Sequence, residues 1–271
     1  MSSEHSIEFT KDNIDTYLKE VAKEYRRLVG KRMPAELILI GGASVLINYG
    51  FRDMTTDIDA VIQAGSSMKD AINRVRDRYN LPVGWLNSDF QKTVSYSPRL
   101  AQHAQYYREY SNVLTIRTIS AEYLIAMKLR SGRQYKNDLS DILGILADHQ
   151  RRGTPIAMAQ IHKAVVDLYG DWESLPEASR TFIEGTMSDG RFTELYDRTK
   201  SGEREAQNML IQFEHDYPGA TNESNVNEII SSLRTRQASK ASIREKLKEK
   251  QIAAKDAPRN KPDIEREIPD R

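Results

Sequence analysis

Two stretches decide how this chain is read: Glu36-Leu-Ile-Leu-Ile-Gly-Gly-Ala-Ser44 and, shortly after it, Thr55-Thr-Asp-Ile-Asp-Ala-Val-Ile62. The first is a run of β-favouring apolar residues closed by two glycines, which reads as a buried strand ending in a tight turn. Residues 43–49 follow with helical spacing. The second stretch reads as another short strand. Side chains two apart in a strand point the same way, so Asp57 and Asp59 present two carboxylates together, with Ile58 opposite. Carboxylate oxygens suit Mg²⁺, which takes few protein ligands and keeps waters and phosphate oxygens. A Gly41-Gly42 turn that opens a helix offers backbone N–H groups and a positive helix end to a triphosphate. Ser44 adds a hydroxyl donor. Asp-x-Asp by itself also occurs on ordinary exposed strand edges. Its weight here comes from the order strand, Gly-Gly, short helix, strand with Asp-x-Asp.

Upstream, Ile14, Tyr17, Leu18, Val21, Tyr25 and Leu28 form a helical stripe that Pro34 ends. Downstream, residues 68–79 are an amphipathic helix. Residues 81–99 have weak periodicity and specify no element. Residues 105–111 and 113–119 read as a hairpin about Ser111-Asn112, and Ser120 caps a helix to residue 130. Lys128 sits at the edge of that helix's apolar stripe, where a lysine either snorkels outward or points into a cleft. Asp138 heads a helix over 138–149 in an N-cap position, with Asp141 at its third residue. Arg130, Arg133 and Lys136 make a basic rim beside it, either a solvated surface or a phosphate site. The expected fold class is α+β, a small mixed sheet flanked by helices and followed by a mostly helical part.

The composition sets bounds. The 271 residues carry a formal net charge of +1, so net charge argues neither for nor against a nucleic-acid partner. Without cysteine there are no disulfides and no thiolate metal sites, and a cytoplasmic location is expected. The first ten residues are polar, and no apolar run approaches the ~20 residues of a membrane span. The segment 234–271 is rich in Lys, Arg, Glu, Gln and Ala and is expected to be a charged helix passing into a disordered tail. His103, His149 and His162 have no metal-ligand spacing. Trp85, Tyr106 and Tyr107 are expected in packing rather than in base stacking.

The order of strand, Gly-Gly, helix and Asp-x-Asp strand resembles the polymerase-β-like nucleotidyltransferase superfamily. The pattern Gly41, Gly42, Ala43, Ser44, Arg52, Thr55, Thr56, Asp57, Asp59 is similar to that of the AbiEii/MenT-like toxins of type IV toxin–antitoxin and abortive-infection systems. A second similarity runs through Lys128, Arg133 and Asp138, and the resemblance covers about residues 37–146. It implies a nucleotidyltransferase domain, taken as 1–150; the helical pattern after it reads as a helical domain over 151–233, or as a continuation of one body past a linker near Gly153, followed by the charged segment 234–271. It implies transfer of NMP from an NTP to an acceptor hydroxyl, with Asp57 and Asp59 on Mg²⁺ (Mn²⁺ as a substitute) and Asp138 as base or third carboxylate. Gly41, Gly42, Ser44 and Lys128 are implied to bind the nucleotide. A tRNA or other RNA acceptor, a role as toxin or phage-defence effector and a cognate antitoxin follow by the same resemblance. The rivals are transfer to a small molecule or protein, and a catalytically silent fold acting as a binding protein. One departure stands out: the strand 113–119 has no carboxylate to serve as a third metal ligand, and Glu109 on the preceding strand is the candidate substitute.

Overall fold

Thr10 opens α1 (Lys11–Val29) with a reciprocal cap, in which Asn13 N donates to Thr10 Oγ1 and Thr10 N donates to Asn13 Oδ1. The computed structural model describes residues 8–222 and 225–237. After α1 the chain enters β1 (Ala35–Leu39), α2 (Gly41–Asn48), β2 (Ile58–Gln63), α3 (Ser67–Tyr79) and the short β3 (Leu86–Asn87). A hairpin of β4 (Ala104–Tyr110) and β5 (Leu114–Ile119) follows, then α4 (Ala121–Ser131) and α5 (Asp138–Arg151). Three helices come next: α6 (Met158–Tyr169), α7 (Glu177–Asp189) and α8 (Phe192–Asp216). The five strands form one mixed sheet in the order β3-β2-β1-β5-β4. β1 runs antiparallel to β2 and parallel to β5, β3 is parallel to β2, and β4 is antiparallel to β5.

The unbroken apolar run of β1 follows from its central place. Leu37 and Leu39 face a core shared with Leu18 and Val21 of α1 and Met68 and Val75 of α3. Ile38 and Ile40 face a second core shared with Leu124 of α4, Ile145 of α5 and Val165 of α6. A strand covered on both faces needs apolar residues at every position, and each such side chain contributes ~1.5–3 kcal/mol of burial. β2 splits differently. Ile58 and Ala60 join the α1/α3 core and Val61 joins the α4/α5 core. Asp59 shares the parity of Val61, so its carboxylate lies on the face covered by α4 and α5.

Strand directions gather the ends that matter. The C-terminal ends of β1 and β5 and the N-terminal ends of β2 and β3 lie along one edge of the sheet, and α2 leaves from there. The hairpin turn is as expected: Ser111 and Asn112 take φ of 56° and 51°, the two left-handed residues of a type I′ turn. The segment without sequence periodicity contains β3 and two 3₁₀ turns, Asp89–Lys92 and Pro98–His103. Backbone-directed bonds pin it instead of an apolar stripe. Ser97 Oγ donates to Leu168 O and Tyr169 Oη to Ser95 O.

Ile156, Ile161, Val165, Ile183 and Phe192 share the core of Ile142 and Ile145, so residues on both sides of Gly153 build one interior. The first compact unit extends to Gln207 and a second begins at Asn208. The boundary at 150/151 expected from the sequence falls inside the first unit. The second contains the end of α8 and a short helix over 226–237. From residue 238 on, the expected charged helix and tail lie outside the described residues, as do residues 1–7. No described helix is long and apolar enough to cross a membrane.

α8 holds the start of α5. The expectation that Asp138 caps this helix is corrected: the N-cap is Asn137, it makes no side-chain cap bond, and the Asp138 carboxylate is engaged elsewhere. The first-turn N–H groups of Leu139 and Ser140 instead donate to Glu203 Oε1 of α8, at 2.9 and 3.4 Å. Among the described residues Glu203 Oε2 is buried and makes no hydrogen bond. Burial pushes the Glu203 carboxyl up to about 7; the bonds from Ser140 and Leu139 oppose the rise and Asp141 adds to it. The folded state therefore holds this proton more tightly than the unfolded chain. Stability falls as pH rises from the ordinary 4.5 to about 7 and levels off above that. Glu203→Gln keeps an acceptor for the helix and removes the titration. Chemical denaturation across this pH range should give a flatter stability profile for the variant, by up to ~3 kcal/mol; equal slopes in both proteins would sink this account.

Candidate active site

Asp57 and Asp59 come together at the gathered edge of the sheet. Asp57, just before β2, is exposed, and Asp59 is half-buried beside Asn87 of β3. Burial and the neighbouring charge of Asp57 push the Asp59 carboxyl up to about 6, and Lys136, Arg133 and a hydrogen bond from Asn87 pull it partly back. Two carboxylates this close, one of them partly desolvated, lack positive charge between them. The donors are hard oxygens and fit a divalent cation such as Mg²⁺. Among the described residues no group of three or more His, Cys, Asp or Glu could hold a metal, so a cation on Asp57 and Asp59 would keep positions for water and phosphate. Glu109 is corrected as a third ligand. It is exposed on β4, the far edge strand, with β1 and β5 between it and β2, ~14 Å away at ordinary strand spacing.

The Gly-Gly turn meets these carboxylates. Gly41 takes φ +55°, and a β-carbon on it would lie 3.6 Å from Asp59 Oδ2, so the turn backbone is next to the carboxylate. Gly42 is packed on its other side. A β-carbon there would fall 2.7 Å from Thr55 Oγ1 and 2.8 Å from Arg52 Nη2. The α2 N-terminus, with its first N–H groups unpartnered by any cap side chain, thus opens beside Asp59. Ser44 is elsewhere: it is fully buried, and its Oγ accepts from Ile119 N at 3.1 Å, tying α2 to the end of β5.

Behind the turn runs a buried ladder of alternating charge. Lys128 is 4% exposed, and its Nζ lies 3.0 Å from Asp138 Oδ1 and 2.7 Å from Asp141 Oδ2. Asp138 also takes Arg133, whose Nε is 2.8 Å from Oδ2. Asp141 also takes Arg52, and Arg52 Nε donates to Met54 O. The order along the ladder is Arg52, Asp141, Lys128, Asp138, Arg133. Burial alone would lower the Lys128 pKa, but the Asp141 and Asp138 charges raise it above the ordinary value. Burial would raise Asp138, but the Lys128 and Arg133 charges and hydrogen bonds hold its carboxyl well below the usual range. In this structure the Lys128 ammonium is thus shared inside the fold by two carboxylates, and the Asp138 carboxylate is held ionised between Lys128 and Arg133.

The segment 132–137 joins α4 to α5 over this ladder. Arg133 is one-third exposed and reaches down to Asp138; Lys136 is exposed, and its charge is felt by Asp59. Arg130 turns away, donating to Val94 O with its guanidinium over the Tyr169 ring. Of the three rim cations, Arg133 and Lys136 border the carboxylates. The aromatic candidates stay out of the site. Trp85 is buried against Phe9, Tyr107 donates to Asp15, and Tyr106 is exposed on the far edge strand. His103 stacks on Tyr123 and His162 on Trp172, and His149 lies tilted against the Tyr49 ring.

Residues 16–147, just under half of the chain, match the profile of a family described as "Nucleotidyltransferase of unknown function (DUF6036)". The match supports a nucleotidyltransferase superfamily. It spans the elements from α1 to α5 that carry both aspartates, the Gly-Gly turn and the ladder. No curated protein and no solved structure matches the chain.

Sequence reasoning missed Asp141 as a partner of Lys128, and Asn87 and Glu203 altogether. The Asp138/Asp141 spacing of three on one helix was the available signal for the first. Nothing local marks the other two.

Two outcomes test this geometry. Gly42→Ala puts a methyl into the Arg52 guanidinium and Thr55, displacing Arg52 from Asp141; a loss of ~2–4 kcal/mol in denaturation is expected, and an unperturbed variant would show that the close packing is not there. Asp59→Asn removes repulsion, so without divalent cations it should be ~1–2 kcal/mol more stable than wild type. Added Mg²⁺ should raise the wild-type melting midpoint alone. Destabilisation of the variant in chelator would mean that a partner already neutralises Asp59.

Proposed function

We propose that the protein is a Mg²⁺-dependent nucleotidyltransferase that moves NMP from an NTP to an acceptor hydroxyl. The observation that carries this reading is the placement of a partly desolvated Asp59, with Asp57 two residues before it, against the backbone of a Gly-Gly turn at a helix start. Asp57 and Asp59 would hold the cation. Gly41 and Gly42 let the chain approach a triphosphate closely enough for the α2 N–H groups to donate to it. The acceptor oxygen bonds to the α-phosphorus, the bond from that phosphorus to the bridging oxygen breaks, pyrophosphate leaves, and the hydroxyl proton passes to water. Bound Mg²⁺ supplies the charge that neutralises the triphosphate and makes the acceptor hydroxyl more acidic. Lys128 and Asp138 keep the α4–α5 corner in register with this edge.

The acceptor in this reading is tRNA or another RNA, and the role is growth arrest as a toxin or phage-defence effector, with an antitoxin as partner. That part rests on the resemblance of the two motif regions and on the exposed Lys136 and one-third exposed Arg133 beside the carboxylates, which suit a phosphate backbone. A second reading, a silent nucleotide-binding fold, is favoured by the lack of a third carboxylate among the described residues.

Incubation with bacterial total RNA, Mg²⁺ and each α-³²P-labelled NTP separates these. Label in a tRNA-sized band, reduced at least ~10³-fold in Asp57→Ala and Asp59→Ala, is the expected result. Label on protein or on a small molecule would move the acceptor. NTP binding without any transfer would establish the silent fold.

A further inference from the structure

Lys128 and Lys136 stand eight residues apart in opposite circumstances. Lys128 is buried and its ammonium is shared by two carboxylates, Asp138 and Asp141. A cation so saturated has little charge to give a ligand, and withdrawing it would strand two buried carboxylates. Lys136 is exposed, makes no ion pair among the described residues, and its charge is felt by the partly buried Asp59, which lies against the Gly41 backbone. Its place is set from beneath. Arg133, three residues before it, is bonded to Asp138, and Asp138 N, two residues after it, donates to Lys136 O at 2.7 Å. Lys128 fixes Asp138, and Asp141 carries the ladder on to Arg52 and the α-carbon of Gly42. One chain of charges therefore sets the spacing between the two elements that flank Asp57 and Asp59, the α2 start and the 132–137 segment.

We propose that Lys136 is the lysine that binds a phosphate group of the nucleotide held at Asp57 and Asp59, and that Lys128 is a positioning residue that holds the Lys136 segment and the Gly-Gly turn at their working separation. This rests on the nucleotidyltransferase reading. With a cation on the aspartates neutralising their charge, the exposed Lys136 ammonium, in no ion pair among the described residues, is left to pair with a phosphate oxygen.

The test uses the full chain and measures the affinity of Mg²⁺ with ATP, GTP, CTP and UTP in turn, of the matching nucleosides, and the melting midpoint. Lys136→Ala should weaken NTP binding roughly 10-fold, leave nucleoside binding and the midpoint unchanged, and recover most of the affinity as Lys136→Arg. Lys128→Met should lower the midpoint; Lys128→Arg, too large for a cavity that closes on both carboxylates, should lower it as well. A Lys136→Ala protein that binds NTP as wild type does, while Asp59→Asn has lost binding, overturns the assignment and leaves the nucleotidyltransferase reading intact. A wild-type protein that binds no NTP overturns both. A Lys128→Met protein with an unchanged midpoint and weakened NTP binding reverses the two lysine roles and overturns the proposal.

Discussion

The Lys128 ammonium between Asp138 and Asp141 is the constraint on which the site depends. Taking one ammonium and two carboxylates out of water costs several kcal/mol per ion. The cost is offset only because each carboxylate also takes an arginine from the rim of the interior, Arg133 on one side and Arg52 on the other. Five charges in alternating order leave each buried group with opposite-sign neighbours. The geometry this enforces is specific. Asp138 and Asp141 are one turn apart on α5, so a single lysine from α4 can reach both only at one separation and rotation of the two helices. Leu124 and Leu129 of α4 and Ile142 and Ile145 of α5 supply the apolar burial, which has no directional preference of its own; the ladder supplies the register.

That register passes to the edge of the sheet through backbone. Arg52 lies in the connection between α2 and β2, so fixing its guanidinium against Gly42 also fixes the approach to Asp57. Phe51 beside it stacks edge-on against Tyr196, whose hydroxyl donates to Phe51 O. α8 thus touches the site's framework twice, at Phe51 and, through Glu203, at the first turn of α5. α6, α7 and the first part of α8 buttress the aspartate-bearing part of the molecule, which explains why Ile161, Ile183 and Phe192 share its core.

The parts of this arrangement that the sequence made legible are those whose cause is local. Leu37 to Ile40 announce a strand covered on both faces, the two glycines a turn, and Ile58-Asp-Ala60 a strand with Asp59 on the face opposite Ile58, because strand periodicity acts over a few residues; Asp57 stands one residue outside that strand. The same holds for the hairpin turn at Ser111-Asn112, where two residues that tolerate positive φ stand together. What stayed hidden depends on distant partners. Asp138 looks like a helix cap from its neighbours, and only the fold brings Lys128 and Arg133 to its carboxylate and leaves the capping to Glu203, 64 residues from Leu139. Ser44 looks like a loop hydroxyl next to two glycines, and only the parallel pairing of β1 with β5 brings Ile119 N onto it. Residues 81–99 gave no periodicity because side-chain bonds to the backbone of α6 and 3₁₀ turns hold them, and neither leaves a repeating pattern.

The contrast between the two ends of the ladder says where function and stability separate. Inside, every charge has a partner of opposite sign, and the electrostatic field is spent on the fold. At the edge, Asp59 is raised toward neutrality by burial and by Asp57, an unfavourable arrangement that Lys136, Arg133 and a hydrogen bond from Asn87 partly offset. Residues selected for stability alone would not put a second carboxylate two positions from a half-buried first one, nor leave a lysine near them without closing the pair. A site short of positive charge at its carboxylates and short of negative charge at its lysine is complementary to a cation carrying a polyphosphate, which supplies both at once.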